Sequence, residues 1–254
     1  MRFLIAMEQT RLVILSGPSC VGKSPLDKVL AKFYPELRAA LQPLVLYNSR
    51  VPRPGEVDGV DYHFRTREQL ESFSTNERFA VLEVRGDLQA LDLVQFAELI
   101  IQGDVFFEGN PFVGRTLLTH PRLSQVTKLS IFMSPLSREE IIFLRAPERN
   151  VSLPVFITDV MRRKLLRRGR RHKSELSLAD LENIEKRAAS AYGELQEAHH
   201  FDCVIPNHDG EDSENWDAFY YPLGDARKAL LAFVSLLEGR MTDSIEHWEQ
   251  ELLP

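Results

Sequence analysis

Cysteine is scarce in this chain of 254 residues: there are two, Cys20 and Cys203, far apart and outside any C-x-x-C pair. A zinc site has no framework here, and no disulfide is expected. Long hydrophobic runs are missing as well. Apolar residues make up 44% of the chain, yet no run approaches the length of about 18 that a membrane-crossing helix needs. The opening MRFLIAM is too short for the core of a secretory signal, and no small-residue cleavage site follows it. Nor is there a basic excess: 31 Lys and Arg face 37 Asp and Glu, a net charge of -6 at pH 7. That argues against a nucleic-acid coat, since such proteins are usually basic. Internal repeats and low-complexity segments are absent. What remains is a cytoplasmic protein of one large domain, with or without appendages, and with apolar residues enough for a sizeable core.

What is there alternates between strand and helix. RLVIL (residues 11–15) reads as a strand ending at Gly17, and Leu26, Val29, Leu30 and Phe33 then mark one face of a helix. LVLYN (44–48) reads as a strand, and the Pro- and Gly-rich stretch 49–64 as a loop. A short helix is predicted over 67–73, a strand over 79–85 and a helix over 91–102. DVFFEGN is a buried strand, with Asn110 and Pro111 as the N-cap and first residue of the next helix. KLSIFM is a strand, followed by two helices split by RAPERNVSLP. A helix spans 181–199, FDCVIPN is the last strand, and a helix covers about 216–237. The tail from 241 to 254 is charged and amphipathic, and a loosely docked helix is expected there. Strands alternating with helices give an α/β fold with a mostly parallel sheet.

The stretch SGPSCVGKSP fits G-x-x-x-x-G-K-[ST] over Gly17, Pro18, Ser19, Cys20, Val21, Gly22, Lys23 and Ser24. Such a loop works because successive backbone N–H groups line one small concavity, where the helix N-terminus adds partial positive charge. Glycines let the backbone curl, the lysine reaches the outer phosphates of ATP, and the serine offers its hydroxyl to Mg²⁺. The bland reading is a structural turn with an exposed lysine. Its position between a strand and a helix favours the P-loop. Pro25 is the odd residue. Early in a helix a proline costs little, but it removes one N–H that could have served a phosphate. Weakened, not abolished, triphosphate binding follows.

A second stretch is longer. NSRVPRPGEVDGVDYHF (48–64) closely resembles the monophosphate-binding segment of the guanylate kinase family, T-T-R-x-P-R-x-G-E-x-[DN]-G-x-D-Y-x-F. LSGPSCVGKS resembles that family's P-loop, and the likeness continues through EVRGDLQAL, IFMSPLSREEI, RRGRR and LENIEKRAASAYGELQEAHHFDCVIPN, over about 11–207. The resemblance implies a P-loop NTPase three-layer fold in a domain over about 8–240. It would have an acceptor-binding lobe near 47–101, a helical lid near 162–187 and an insertion near 143–159. Lobe closure would exclude water, so that phosphate reaches the acceptor. The resemblance further implies that Arg50, Arg53 and Tyr62 hold the acceptor's phosphate, as guanidinium forks can. Glu108 would hold Mg²⁺ through water. Lys164, Arg168 and Arg187 would stabilise the transferring phosphoryl group beside Lys23, with lysine at 164 a weaker substitute for arginine.

Departures from the family pattern cluster at the base-reading positions. A serine becomes Leu46, a glutamate becomes Ala80, and the tyrosine and threonine of YYGT become Gln89 and Leu91. Glu83 is a poor replacement for the glutamate, because three residues along a strand face the other way. A second aspartate becomes Asn110. The phosphate grip looks intact while the base shell has changed, which does not predict ordinary GMP recognition. The expectation is an ATP-dependent, Mg²⁺-assisted phosphotransferase acting on a nucleoside monophosphate. A phosphorylated sugar such as ribose 1,5-bisphosphate is the runner-up acceptor. The other class is a non-catalytic phospholigand-binding module, against which the intact P-loop stands. The partners are thus ATP and a small phosphorylated acceptor.

Three features are discounted. MRRKLLRRGRRHK (161–173) carries eight Lys and Arg, but a lid that clamps polyphosphate explains it better than nucleic acid does. His199 and His200 suit a helix C-terminus better than a metal. Cys20 could be made acidic by the helix N-terminus and so oxidation-sensitive. More simply, it fills a usual glycine position in a conformation open to other residues.

Overall fold

The computed structural model describes residues 10–52 and 55–253. The elements run β1 (Arg11–Ser16), α1 (Lys23–Phe33), α2 (Pro35–Ala39), β2 (Leu41–Pro43), β3 (Tyr47–Asn48), β4 (His63–Phe64), α3 (Arg67–Phe73), β5 (Phe79–Val84), β6 (Asp87–Asp92) and α4 (Leu93–Gln102). They continue with β7 (Asp104–Gly109), α5 (Pro111–Thr119), β8 (Thr127–Ser134), α6 (Arg138–Arg145), α7 (Leu153–His172), α8 (Leu178–Ala189), α9 (Ala191–Gln196), β9 (Cys203–Pro206) and α10 (Gly224–Leu237). One sheet has the order β2-β7-β1-β8-β9 and the other β4-β3-β6-β5. The pairs β2–β7 and β8–β9 are parallel. This is the α/β fold that the alternation implied, with the P-loop architecture that the resemblance implied. The chain divides into two compact units. One runs up to Ile14 and includes Ala40–Phe107 and Leu118–Leu129; the other holds Leu15–Ala39, Glu108–Leu117 and Ser130 onward.

In the first unit the sequence reading needs three corrections, the shortest being that 49–64 is not all loop, since His63 and Phe64 form β4 beside β3. The run 44–48 is not one strand. Residues 41–43 pair with β7, and 47–48 pair with β4 and β6. Between them the chain changes sheets, and buried Leu44 and Leu46 make the passage apolar enough to read as strand. The helix predicted from residue 91 starts at 93, because Leu91 and Asp92 close a strand that sequence reading missed. Residues 85–86 form a two-residue turn with both φ positive, +56° at Arg85 and +85° at Gly86. Such turns suit tight hairpins, but Arg-Gly lacks the Asn-Gly or Asp-Gly signature that announces one. Asp92 then caps α4, accepting from the Val94 and Gln95 amides at 3.0 and 3.2 Å. On α3, Thr66 and Gln69 make a reciprocal capping box. Tyr47 packs edge-on against Phe73 and Phe79, whose rings stack 4.0 Å apart.

The second unit carries the P-loop, α1, α5 and the helices from α6 onward. Asn110 caps α5 as expected, accepting from the Phe112 amide at 2.9 Å. The helix expected over 181–199 breaks at Ser190. Its hydroxyl bonds the Arg187 carbonyl at 3.1 Å and Glu194 at 2.9 Å, competing with the backbone ladder. The last helix begins at Gly224 and not near 216, because a loop from 207 to 223 comes first. Helix ends and a 3-10 turn at Pro147–Arg149 take up the 143–159 segment. The tail is not a loosely docked helix. Glu246 exchanges two backbone hydrogen bonds with Val204, both 2.8 Å, and Ile245, Trp248, Leu252 and Leu253 are buried.

Candidate functional site

The P-loop begins where β1 ends. Gly17 (φ +144°) and Gly22 (φ +109°) hold left-handed conformations that favour glycine. Space is also short at both. A Cβ on Gly17 would strike the Met133 carbonyl, and one on Gly22 would lie 2.6 Å from Asn207 Nδ2 and 2.9 Å from Trp216. Lys23 Nζ donates to the Gly17 and Pro18 carbonyls at 2.7 and 3.0 Å. Pro18 and Val21 are buried, and Ser19 is half-buried. Pro25 is the third residue of α1, within the first turn, where no intrahelical partner is lost.

Ser24 Oγ donates to Glu108 Oε1 at 2.8 Å. Glu108 ends the apolar part of β7, so its carboxyl is held in a poorly solvated position. Burial pushes its pKa above the ordinary carboxylate value; Lys23 and Ser24 pull the other way, and Asp27 and Glu211 push with burial. A hydroxyl and a carboxylate side by side are hard oxygen ligands of the kind Mg²⁺ takes, completing its shell with water and phosphate oxygens. No larger group of His, Cys, Asp and Glu able to hold a metal occurs among the described residues.

The cations expected in the lid lie on α7 and α8. Lys164 and Arg168 find partners in the loop 207–223. Lys164 Nζ donates to the His208 carbonyl and lies 3.9 Å from Asp212 Oδ1. Arg168 pairs with Glu211 at 2.8 Å, and Arg167 with Asp212 at 3.1 Å. Arg171 lies 3.6 Å from Glu214. Arg187 on α8 is half-buried, and its charge reaches Cys20. Sequence reading missed this acidic loop. Its signal was there, Asp209, Glu211, Asp212 and Glu214 around one glycine. Gly210 packs against the Cys20 carbonyl, and the Glu211 amide donates to that carbonyl at 3.3 Å.

Cys20 overturns one expectation, that of a conformation open to other residues, and its discounted acidity does not hold either. Its φ of +69° is left-handed, so the position does not welcome side chains. The thiol is buried and its pKa is pushed up to about 12, by burial first and then by Glu211 and Asp212, against Arg168 and Arg187. It is neither acidified nor accessible for oxidation.

In the first unit, Arg50 makes two hydrogen bonds of 2.6 Å to the Glu56 carboxylate. Its guanidinium lies 5.1 Å from the centre of the Tyr62 ring and 5.3 Å from that of Phe64. Arg50 and Tyr62 are thus together; Arg53 lies outside the described residues. Asn48 stands directly opposite Gln89, and Ala80 opposite Leu91. Leu46 and Leu91 are both buried to 1% exposure.

Against known families, the model described as "Guanylate kinase" matches residues 9–86. A guanylate kinase of Rhodococcus jostii (strain RHA1) is 30% identical over 207 residues, covering 80% of this chain and 83% of the relative. One from Synechococcus sp. (strain JA-3-3Ab) is 32% identical over 215 residues, 84% of this chain and 82% of its own. In fold, the chain is similar to the crystal structure of guanylate kinase from Anaplasma phagocytophilum. The TM-score is 0.51 at 17% identity, over 96% of this chain and 93% of that one.

Proposed function

The chain belongs to the guanylate kinase family of nucleotide kinases, and from that premise we propose that it transfers the γ-phosphate of ATP to a nucleoside monophosphate, with GMP the first acceptor to try. One observation carries the reading: the second unit alone holds the P-loop lysine, the Ser24–Glu108 pair and the cations Lys164, Arg168 and Arg187. In this reading the backbone N–H groups from Gly17 to Ser24 bind the ATP phosphates. Lys23 exchanges the Gly17 and Pro18 carbonyls for phosphate oxygens. Lys164, Arg168 and Arg187 neutralise the equatorial oxygens of the transferred group. Ser24 and Glu108 would hold Mg²⁺, which would supply charge neutralisation at the phosphates. Arg50, Arg53 and Tyr62 bind the acceptor's phosphate. No general base is required, because a phosphate oxygen is already a nucleophile.

No helix among the described residues is long and apolar enough to cross a membrane. The test is ADP release from Mg-ATP with GMP, dGMP, AMP, CMP, UMP and ribose 1,5-bisphosphate as acceptors. At least one nucleoside monophosphate is expected to turn over, and Lys23→Ala to lower the rate about 10²–10³-fold. Phosphorylation of the sugar alone would reassign the acceptor. ATP binding with no transfer to any acceptor would count against the reading.

A further inference from the structure

Asn48 on β3 and Gln89 on β6 are direct cross-strand partners, so their side chains share one face of the four-stranded sheet. Both are buried, with 1% and 7% exposure. Asn48 Oδ1 accepts from the Arg50 amide at 3.1 Å. Among the described residues, nothing bonds the Asn48 amide nitrogen or either polar atom of Gln89. None of those atoms is wholly sealed from solvent.

The surroundings make this unusual. Gln89 is opposite Leu82 on its other side, Leu46 lies two residues before Asn48, and the register partner of Asn48 on β4 is Phe64. An apolar setting penalises an unbonded amide, and packing alone would be served better by leucine or methionine. Buried amides in folded proteins are nearly always bonded. Two beside one another, both with idle donors, ask for a partner that arrives from outside. The pair is tied through Asn48 to the backbone of Arg50, the residue read as gripping the acceptor's phosphate.

We infer that the Asn48–Gln89 pair reads the base of the nucleoside monophosphate. A carboxamide offers one donor and one acceptor side by side, the complement of a base edge that also presents one of each. Such a pair takes over the work that Leu46, Ala80 and Leu91 cannot do. The inference rests on the proposed nucleotide-kinase reading.

The test compares wild type, Gln89→Met and Gln89→Glu in steady-state turnover with ATP against GMP, AMP, CMP and UMP, with melting temperatures for each. Gln89→Met is expected to raise the KM of the best acceptor at least tenfold and to level the preference among bases. The KM for ATP should hold, and the variant should melt no lower than wild type, since it removes an unbonded amide. Gln89→Glu keeps the shape but offers only acceptor oxygens, and should shift preference toward bases that present N–H groups. Wild-type preference retained in a folded Gln89→Met or Gln89→Glu variant overturns this inference and leaves the kinase reading standing. A wild-type chain that neither phosphorylates nor, by calorimetry, binds any nucleoside monophosphate overturns both.

Discussion

The Arg168 guanidinium lies 2.8 Å from the Glu211 carboxylate. A cation that the proposed reaction needs is therefore held by the chain's own acid. Phosphate has to displace Glu211 to use it. A charged hydrogen bond contributes about 1.5–3 kcal/mol, less where solvent reaches the arginine, as it does here. Glu211→Gln is expected to tighten ATP binding about fivefold in calorimetry. A weaker affinity in the variant would mean that Glu211 aims Arg168 rather than occupying it.

Pro25 occupies the first turn of α1, where a backbone N–H would point toward bound phosphate. Pro25→Thr restores that donor and adds a hydroxyl. The expected gain is about tenfold in ATP affinity, from a hydrogen bond to a charged group of roughly 1.5 kcal/mol. Unchanged affinity would show that this position plays no part in holding phosphate.

His208 bridges two acids, with Nδ1 2.6 Å from Asp225 and Nε2 2.9 Å from Glu140. Burial lowers its pKa, but the hydrogen bonds and charges of Asp225 and Glu140 outweigh burial and leave it above 6.5. A raised histidine pKa means that the folded state binds the proton more tightly. Its stabilisation is complete below the unfolded value and fades as pH rises through the folded one. The melting temperature should fall across that window in wild type and stay flatter in His208→Gln. Parallel melting curves for the two proteins would remove the bridge from the account.

Trp248 is 6% exposed, and its Nε1 donates to Glu246 at 2.7 Å. It anchors a tail that bonds the edge strand β9 through Glu246. Trp248→Ala should cost about 3–5 kcal/mol in denaturant unfolding, as large-to-small core changes do. A loss below about 1 kcal/mol would mean that the tail is dispensable to the core.

Local rules made much of this fold legible. The Asn110–Pro111 start of α5 was readable because a cap and a proline act on their own neighbours. The span of α3, Arg67–Phe73, was readable in the same way. Where reading failed, tertiary context decided. Leu44 and Leu46 are apolar because they pass between two sheets, not because they form a strand. The tail's amphipathic pattern suits an extended, docked segment as well as a helix, and only the Val204–Glu246 bridge separates them. At the site, the P-loop was plain from spacing, since phosphate binding uses consecutive backbone groups. The lid's partners were not, because Arg168 and Glu211 meet across 43 positions of sequence. The Asn48–Gln89 pairing needed the register of β6, a strand hidden by its Arg-Gly turn.

Glu56 seats two oxygens on Arg50 at 2.6 Å, with Tyr62 and Phe64 against the guanidinium. On the proposed reading an acceptor does not meet a vacant arginine; it meets one already paired with Glu56. Entry is then an exchange of anions, and the newcomer has to be the stronger one. A phosphate monoester gains its second negative charge near about pH 6, whereas a nucleoside has none to offer. On the proposed reading the segment sets a threshold on ionisation before it judges shape, and an acceptor displaces Glu56 more readily once it carries its second charge.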